Sequence, residues 1–476
     1  MNIDNAQYFK NTILKINIKE EWEIMNLIKK LKNFKIPLIY GWSLLGGLML
    51  VMFSWVSPVF AAASKIPAFN SGDIAWVLAS SALVLIMTPG LGFYYGGMVR
   101  RKNVLNTISL SFIAICTVSI IWILWGYSLA FGPDSFGGII GSLKYIGLFA
   151  MKETQHSRYD GKIPSYIYVM FQLMFAIITV ALVSGSLVER IKFSSWVIFT
   201  IVWLTVVYAP VAQAVWGIGG LFNKMGALDF AGGTVVHINS GVAGLAGALV
   251  LGKRKGYMKE NIVQPNQLGY TILGGALLWF GWFGFNAGSA LEANPLATSA
   301  FLVTNTATAA AAIGWMIAEW IRSGKPTTLG MVSGAVAGLV AITPASGFVN
   351  PIDSIIIGFV AGVICYSMVV FVKPKLGYDD ALDAFNVHAI GGAWGALATG
   401  LFADPLINSA GRGLFYGNPG QMWIQLLTVV CVAAYSFTMS YIIFKVIDKV
   451  MGLRVDKETE AMGLDITQHD EAGYNF

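Results

Sequence analysis

Gly232-Gly233-Thr234-Val235-Val236-His237-Ile238-Asn239-Ser240-Gly241-Val242-Ala243-Gly244 sets a histidine inside an apolar run long enough to cross a bilayer. A second run, Val387-His388-Ala389-Ile390-Gly391-Gly392-Ala393-Trp394-Gly395, repeats its spacing: both read Val-His-x-x-x-Gly-x-x-Gly. Each also carries an aspartate eight residues before its histidine, Asp229 in one and Asp380 in the other. An ionisable residue within a span is expensive, and it normally faces a cavity or a partner. The matched pair therefore predicts one shared site.

The composition around these runs is that of a membrane protein. Of 476 residues, 56% are hydrophobic and 12% charged, whereas soluble domains carry about 25% charge. A helix needs about 20 apolar residues to span the hydrocarbon core. Eleven such spans are expected, at 74–99, 104–131, 165–188, 193–216, 229–251, 268–290, 297–321, 328–348, 351–373, 381–403 and 421–447. The fold class is all-α integral membrane.

Ahead of them, residues 1–63 read as a leader or signal peptide: a basic stretch (Lys29, Lys30, Lys32, Lys35), an apolar stretch, then Ala61-Ala62-Ala63 as a cleavage site. The membrane domain then covers 64–450 and a polar cytoplasmic tail 451–476.

Basic residues set the expected orientation. Arg100, Arg101, Lys102, Arg190, Lys192, Lys253, Arg254, Lys255, Lys259, Arg322, Lys325, Lys373 and Lys375 fall in one set of loops. The other set holds only Lys144, Lys152, Arg158, Lys162, Lys224 and Arg412. The first set is cytoplasmic by the positive-inside rule, which puts the mature amino terminus outside and the tail inside. The net charge of +6 thus reports topology and not nucleic-acid binding. Cys116, Cys365 and Cys431 lie in apolar runs without paired spacing, so buried free thiols are expected.

The histidine spans are the fifth and the tenth, so they run in opposite directions. Gly92-Phe93-Tyr94-Tyr95-Gly96 in the first span is echoed by Gly284-Phe285-Asn286-Ala287-Gly288 in the sixth. Matched motifs on oppositely directed helices indicate an inverted repeat of five plus five spans with one helix added, a plan whose sites lie near the midplane. Small residues such as Gly241, Gly244, Gly391 and Gly395 suit close helix packing.

Two imidazoles brought together can share a proton, one donating and one accepting, and in a dry pore they suit a small polar solute or a proton relay. The plain alternative is two histidines satisfied by backbone carbonyls. Phe171, Phe175, Trp216, Trp282 and Phe285 crowd the outer ends of their spans. They serve as interfacial anchors or as π-faces for a small cation. Asp229 caps its helix or attracts cations directly. The chain contains no metal-ligand spacing, no phosphate-binding loop and no nucleophile motif, so neither an enzyme nor a cofactor is expected.

Asp229-Phe230-Ala231-Gly232-Gly233-Thr234-Val235-Val236-His237 and Gly281-Trp282-Phe283-Gly284-Phe285-Asn286-Ala287-Gly288-Ser289 closely resemble signature segments of the ammonium transporter (Amt) family, relatives of the Rhesus proteins. Pro89-Gly90 with Phe93-Tyr94-Tyr95-Gly96-Gly97, Phe171-Gln172-x-x-Phe175 and Asp383-x-x-x-Val387-His388 extend the resemblance from about Asp73 to Phe476.

The resemblance implies a homotrimer of eleven-helix protomers in the cell membrane, each with its own pore. Phe175, Trp216 and Ser289, with Phe171 beside them, would recruit ammonium, and Phe175 and Phe285 would form a gate. His237 and His388 would line a hydrophobic pore for ammonia, with or without separate proton transfer, and Asp229 and Trp282 would support the vestibule. The tail segments Gly452-Leu453-Arg454-Val455 and Gly463-Leu464-Asp465 resemble the family's tail, which a PII-type signal protein can block. The family's His-Gly-Glu ending is here His469-Asp470-Glu471.

Three other readings compete. A sodium-driven symporter calls for a broken helix and a larger polar pocket. A sensor calls for an appended signalling domain. A Rhesus-type channel is disfavoured by Trp216 and the tail.

Overall fold

A computed structural model describes residues 69–258 and 265–474. The expected leader, 1–63, lies outside the described residues.

Nine helical segments among the described residues are long and apolar enough to cross a membrane. Thr328–Ile342 is a shorter apolar helix, and the helix Ile390–Phe402, entered through the turn Phe385–Ala389, lies where the tenth span is expected. In chain order they are α1 (Ser71–Met98), α2 (Val104–Ile121), α3 (Ser165–Val183), α4 (Phe193–Trp203), α5 (Asn239–Leu251), α6 (Leu268–Gly288), α7 (Pro295–Ser323), α8 (Thr328–Ile342), α9 (Pro351–Ser367), α10 (Ile390–Phe402) and α11 (Gly420–Met451). A π-helical turn extends α2 through Trp122–Gly126 and α4 through Leu204–Tyr208, and each then continues as α-helix. Two short tail helices follow, α12 (Lys457–Met462) and α13 (Leu464–His469).

Several boundaries differ from expectation for a local reason. The fifth span begins at Gly233 and not at 229, and the tenth at Phe385 and not at 381. In both, the upstream aspartate stays in the loop and turns its carboxylate onto the helix start. The eighth helix stops at Ile342, just before Pro344. Cys365 is buried as expected, whereas Cys116 is exposed on the outside of the bundle and Cys431 is partly exposed.

Burial separates an inner from an outer set of helices. The spans containing α3 and α5 are 89% and 83% buried inside the protein, against 33% for those of α9 and α11. Apolar side chains facing lipid gain nothing from hiding, so the inner helices must be held by close packing.

Glycine provides that packing between α1 and α6. A Cβ on Gly274 would lie 2.2 Å from the Tyr94 backbone nitrogen, and one on Gly281 would lie 2.4 Å from the Leu83 carbonyl oxygen. The two helices approach backbone to backbone.

One end of the bundle is tied by charges. Glu189 receives Arg100 Nε and Arg254 Nη1, each at 2.9 Å, and Arg254 Nη2 reaches Asp379 at 2.8 Å. Buried Arg190 donates to the carbonyls of Gly252, Val188 and Asp379. The loops after α1, α3, α5 and α9 therefore meet in one cluster. The tail joins it, with Arg454 Nη2 at 2.7 Å from Glu460 and the Glu460 carboxylate accepting from the Lys255 backbone nitrogen. Further along, Asp465 accepts from the Asn106 nitrogen, and the His469 ring meets the Asn106 amide at 3.0 Å.

Candidate functional site: a column of rings closed by two histidines

Both histidines sit in π-helical turns, Gly233–Ile238 and Phe385–Ala389, which lead directly into α5 and α10. Such turns are rare and concentrate at functional positions. The aspartates of the two motifs hold them open at their starts. The Asp229 carboxylate accepts from the backbone nitrogens of Gly232, Thr234 and Val235 at 3.0–3.1 Å. Asp380 does the same for Ala384 and Phe385, at 3.2 and 2.8 Å. Helix starts expose unpaired N–H groups and favour negative charge, so each carboxylate both caps its turn and fixes the direction of the ring that follows.

The motif glycines then let the two turns touch. Four residues after His237, Gly241 leaves no room for a Cβ, which would lie 2.4 Å from the Ala389 nitrogen. Four residues after His388, Gly392 packs likewise, its Cβ position 2.8 Å from the Gly233 oxygen and 3.1 Å from the His237 Cβ. Each histidine's own glycine thus admits the other histidine's segment.

The consequence is direct contact. His388 Nδ1 lies 3.2 Å from His237 Nδ1, with the ring centroids 5.3 Å apart. One nitrogen must donate and the other accept. His237 is fully buried and its Nε2 has no hydrogen-bond partner, while His388 is 4% exposed. The plain alternative, histidines satisfied by backbone carbonyls, does not describe this geometry.

Rings stack away from the pair in one direction. His237 lies 5.2 Å from Trp282 and 6.0 Å from Phe285, and Phe285 lies 4.2 Å from Phe175. Phe175 in turn meets Phe171 edge-on at 4.9 Å and Trp216 at 5.9 Å. Trp282 lies against His237, and its indole donates to Thr343 Oγ1 at 2.8 Å.

At the far end of the column is a small cavity of about 170 Å³, lined by Phe171, Phe175, Trp216, Ser289 and neighbours. Trp216 is oriented by its indole, which donates to the Asp229 carbonyl at 2.8 Å. The Ser289 hydroxyl donates to the Phe285 carbonyl at 2.8 Å, which leaves its lone pairs as acceptors. The whole arrangement is an aromatic-walled vestibule, two stacked phenylalanines, and a pair of buried imidazoles.

The chain matches the family model described as Ammonium Transporter Family over residues 75–474. It belongs to that family. It is 50% identical over 404 residues to an ammonium transporter of Bacillus subtilis, covering 85% of this chain and 98% of that protein. The structure superposes on the crystal structure of Saccharomyces cerevisiae Mep2 with a TM-score of 0.79 and 34% identity, over 84% of this chain and 93% of that one. It also matches a structure titled Sensor Amt Protein, with a TM-score of 0.77, 28% identity, and coverage of 84% and 98%. The chain is thus a multi-pass membrane protein of a transporter family and not an enzyme.

Sequence reasoning assigned Arg100, Arg190 and Arg254 to topology alone and passed over Glu189. The signal that could have found it is an acidic residue next to Arg190 in a loop otherwise reserved for positive charge. Its backbone also has a φ of +70°, a conformation that side chains other than glycine rarely adopt.

Proposed function

We propose that this protein recruits ammonium in the aromatic vestibule, where the ion gives up a proton that is either returned to the outer water or carried across separately, and conducts ammonia past Phe175 and Phe285 along His237 and His388. The observation that carries the reading is the direct contact between two imidazoles beneath the stacked rings. An ammonium ion entering so apolar a column would lose its hydration at a cost on the order of tens of kcal/mol. Neutral ammonia loses far less, so the vestibule is where charge must be left behind. π-faces of Phe175 and Trp216, each contributing about 0.5–2 kcal/mol, and the free lone pairs of Ser289 support binding of the cation there.

The basic loops support a cytoplasmic position for the charge cluster and tail, and an outer position for the vestibule. On this reading the membrane is the cell membrane, the leader is removed, and the working unit is a homotrimer. The tail is the segment that a PII-type protein would meet, and its His469-Asp470-Glu471 departs from the family's His-Gly-Glu ending. The sensor's fold serves either role. The 50% identity to a transporter, against 28% to the sensor, favours transport.

The test is an ammonium pulse applied to protein in supported liposomes, with current and internal pH recorded together, beside a His237→Ala, His388→Ala double variant. A specific current that the variant loses or alters supports proton-coupled transport through the pair. A pH change without current, altered by the same variant, supports neutral ammonia conduction. Wild-type protein that yields neither signal, or a variant with unchanged rate and selectivity, overturns the reading.

A further inference from the structure

Gln172 is set between the two vestibule phenylalanines, Phe171 and Phe175, on α3. It lines the same cavity as Phe175, Trp216 and Ser289. It is 9% exposed, and its side-chain oxygen has no hydrogen-bond partner. One turn before it on the same helix, the Tyr168 ring stacks flat on Tyr159 at 4.6 Å and walls the same cavity. A buried acceptor is normally paired, so an unpaired one in a cavity wall calls for a reason.

The chemistry of the guest supplies one. Ammonium has four N–H donors and no acceptor, so a site built for it needs several acceptors. π-faces attract the charge with little regard to its substituents. Hydrogen-bond acceptors count N–H groups. Ser289, donating to Phe285, offers one such acceptor.

We propose that the Gln172 side-chain oxygen is a second acceptor for ammonium in the vestibule, and that it selects ammonium over methylated ammonium. The terminal torsion of a glutamine is broad, so a modest turn presents the oxygen to the guest. Methylammonium keeps three donors, so it meets both acceptors only in orientations that turn its methyl group away from them. A guest that must give up orientations or leave a buried acceptor unpaired binds less well than one with a donor in every direction. The proposal rests on the vestibule being the ammonium site.

Gln172→Met keeps the length of the side chain and removes the acceptor, while Gln172→Glu keeps an oxygen in place. Liposome flux would be measured against ammonium concentration, then in competition with methylammonium. A hydrogen bond to a charged group predicts that Gln172→Met raises the ammonium half-saturation roughly tenfold, with a smaller effect on maximal flux. The ratio of the half-inhibitory methylammonium concentration to the ammonium half-saturation should fall several-fold. Gln172→Glu should lower the ammonium half-saturation, and that measurement decides the matter if the methionine variant does not fold.

An unchanged ratio in Gln172→Met, or an unchanged half-saturation in Gln172→Glu, overturns the proposal. Ser289→Ala and Phe175→Ala are run beside them. If these two also leave the half-saturation unchanged, the vestibule reading itself falls; if they raise it while the Gln172 variants do not, only the role of Gln172 falls.

Discussion

Asp229 illustrates how a single carboxylate governs a ring eight residues away. It is 8% exposed and accepts three backbone N–H groups at the start of the π-helical turn that carries His237. Losing a helix cap costs about 0.5–2 kcal/mol, and here several donors would be stranded together. Asp229→Ala is therefore expected to lower the thermal midpoint in detergent and to reduce flux, since the His237 ring loses its anchor. Asp229→Asn retains an acceptor oxygen and should stay nearer wild type in both. Asparagine protein as stable as wild type but as inactive as the alanine variant would show that the negative charge is needed for itself, and the capping account would fail. His388 has the same support from Asp380, which the eight-residue spacing made legible in the sequence. The π-helical turns were not legible. Nothing in Val-His-x-x-x-Gly distinguishes an α from a π hydrogen-bond ladder, because the widening is imposed by what caps and crowds the turn.

At the scale of elements, the crossings depend on positions where no side chain fits. Gly274 on α6 faces the Tyr94 nitrogen and Gly90 oxygen of α1, and a Cβ there would meet backbone on both. Backbone cannot turn aside as a side chain can. Overpacking of this kind costs about 1–3 kcal/mol or more. Gly274→Ala should lower the thermal midpoint measurably, as about 1 kcal/mol shifts it by roughly 2–4 °C in a domain of about 150–250 residues and by less in a larger protein. Gly269→Ala, where the nearest atom is the side-chain oxygen of exposed Gln267, is the matched control and should stay within about 0.5 kcal/mol of wild type. Equal effects from the two substitutions would remove the argument for backbone contact. Glycine-rich spans announced close packing from the sequence, but which glycine meets which helix required the crossings themselves.

For the molecule as a whole, the charge cluster at one end ties loops that are far apart in sequence. Burial opposes ionisation of Glu189, yet the Arg254 and Arg100 guanidiniums outweigh it and hold the carboxyl down at about 2, against 4.5 for a free glutamate. A carboxyl depressed in the folded state contributes its full stabilisation above the unfolded value. That contribution is lost progressively as pH falls from about 4.5 towards about 2. The thermal midpoint of the wild type should therefore drop more steeply between about pH 5 and pH 3 than that of Glu189→Gln. At neutral pH, Glu189→Ala deprives Arg100 of its carboxylate and leaves Arg254 with Asp379 alone, and is expected to cost about 1–3 kcal/mol. Parallel pH profiles for wild type and Glu189→Gln would mean that the cluster contributes no net electrostatic stability. The tail docks on the same end through Glu460 and Asp465, so its loosening in these variants is measurable by hydrogen exchange.

The sequence by itself determined the membrane class, the count of spans, the pairing of the two histidine motifs and the family. Each of these rests on information carried along the chain: runs of apolar residues, a repeated spacing, and signature segments. Only the tertiary structure decided the contact at 3.2 Å between the rings, the position of Trp282 beside His237, and the gathering of Arg100, Glu189, Arg254 and Asp379 into one cluster. It also turned a polar tail of mixed charge into a docked segment. These are contacts between residues up to hundreds of positions apart. Local propensity does not encode them, since they depend on which helix faces pack and how closely glycine lets the backbones approach.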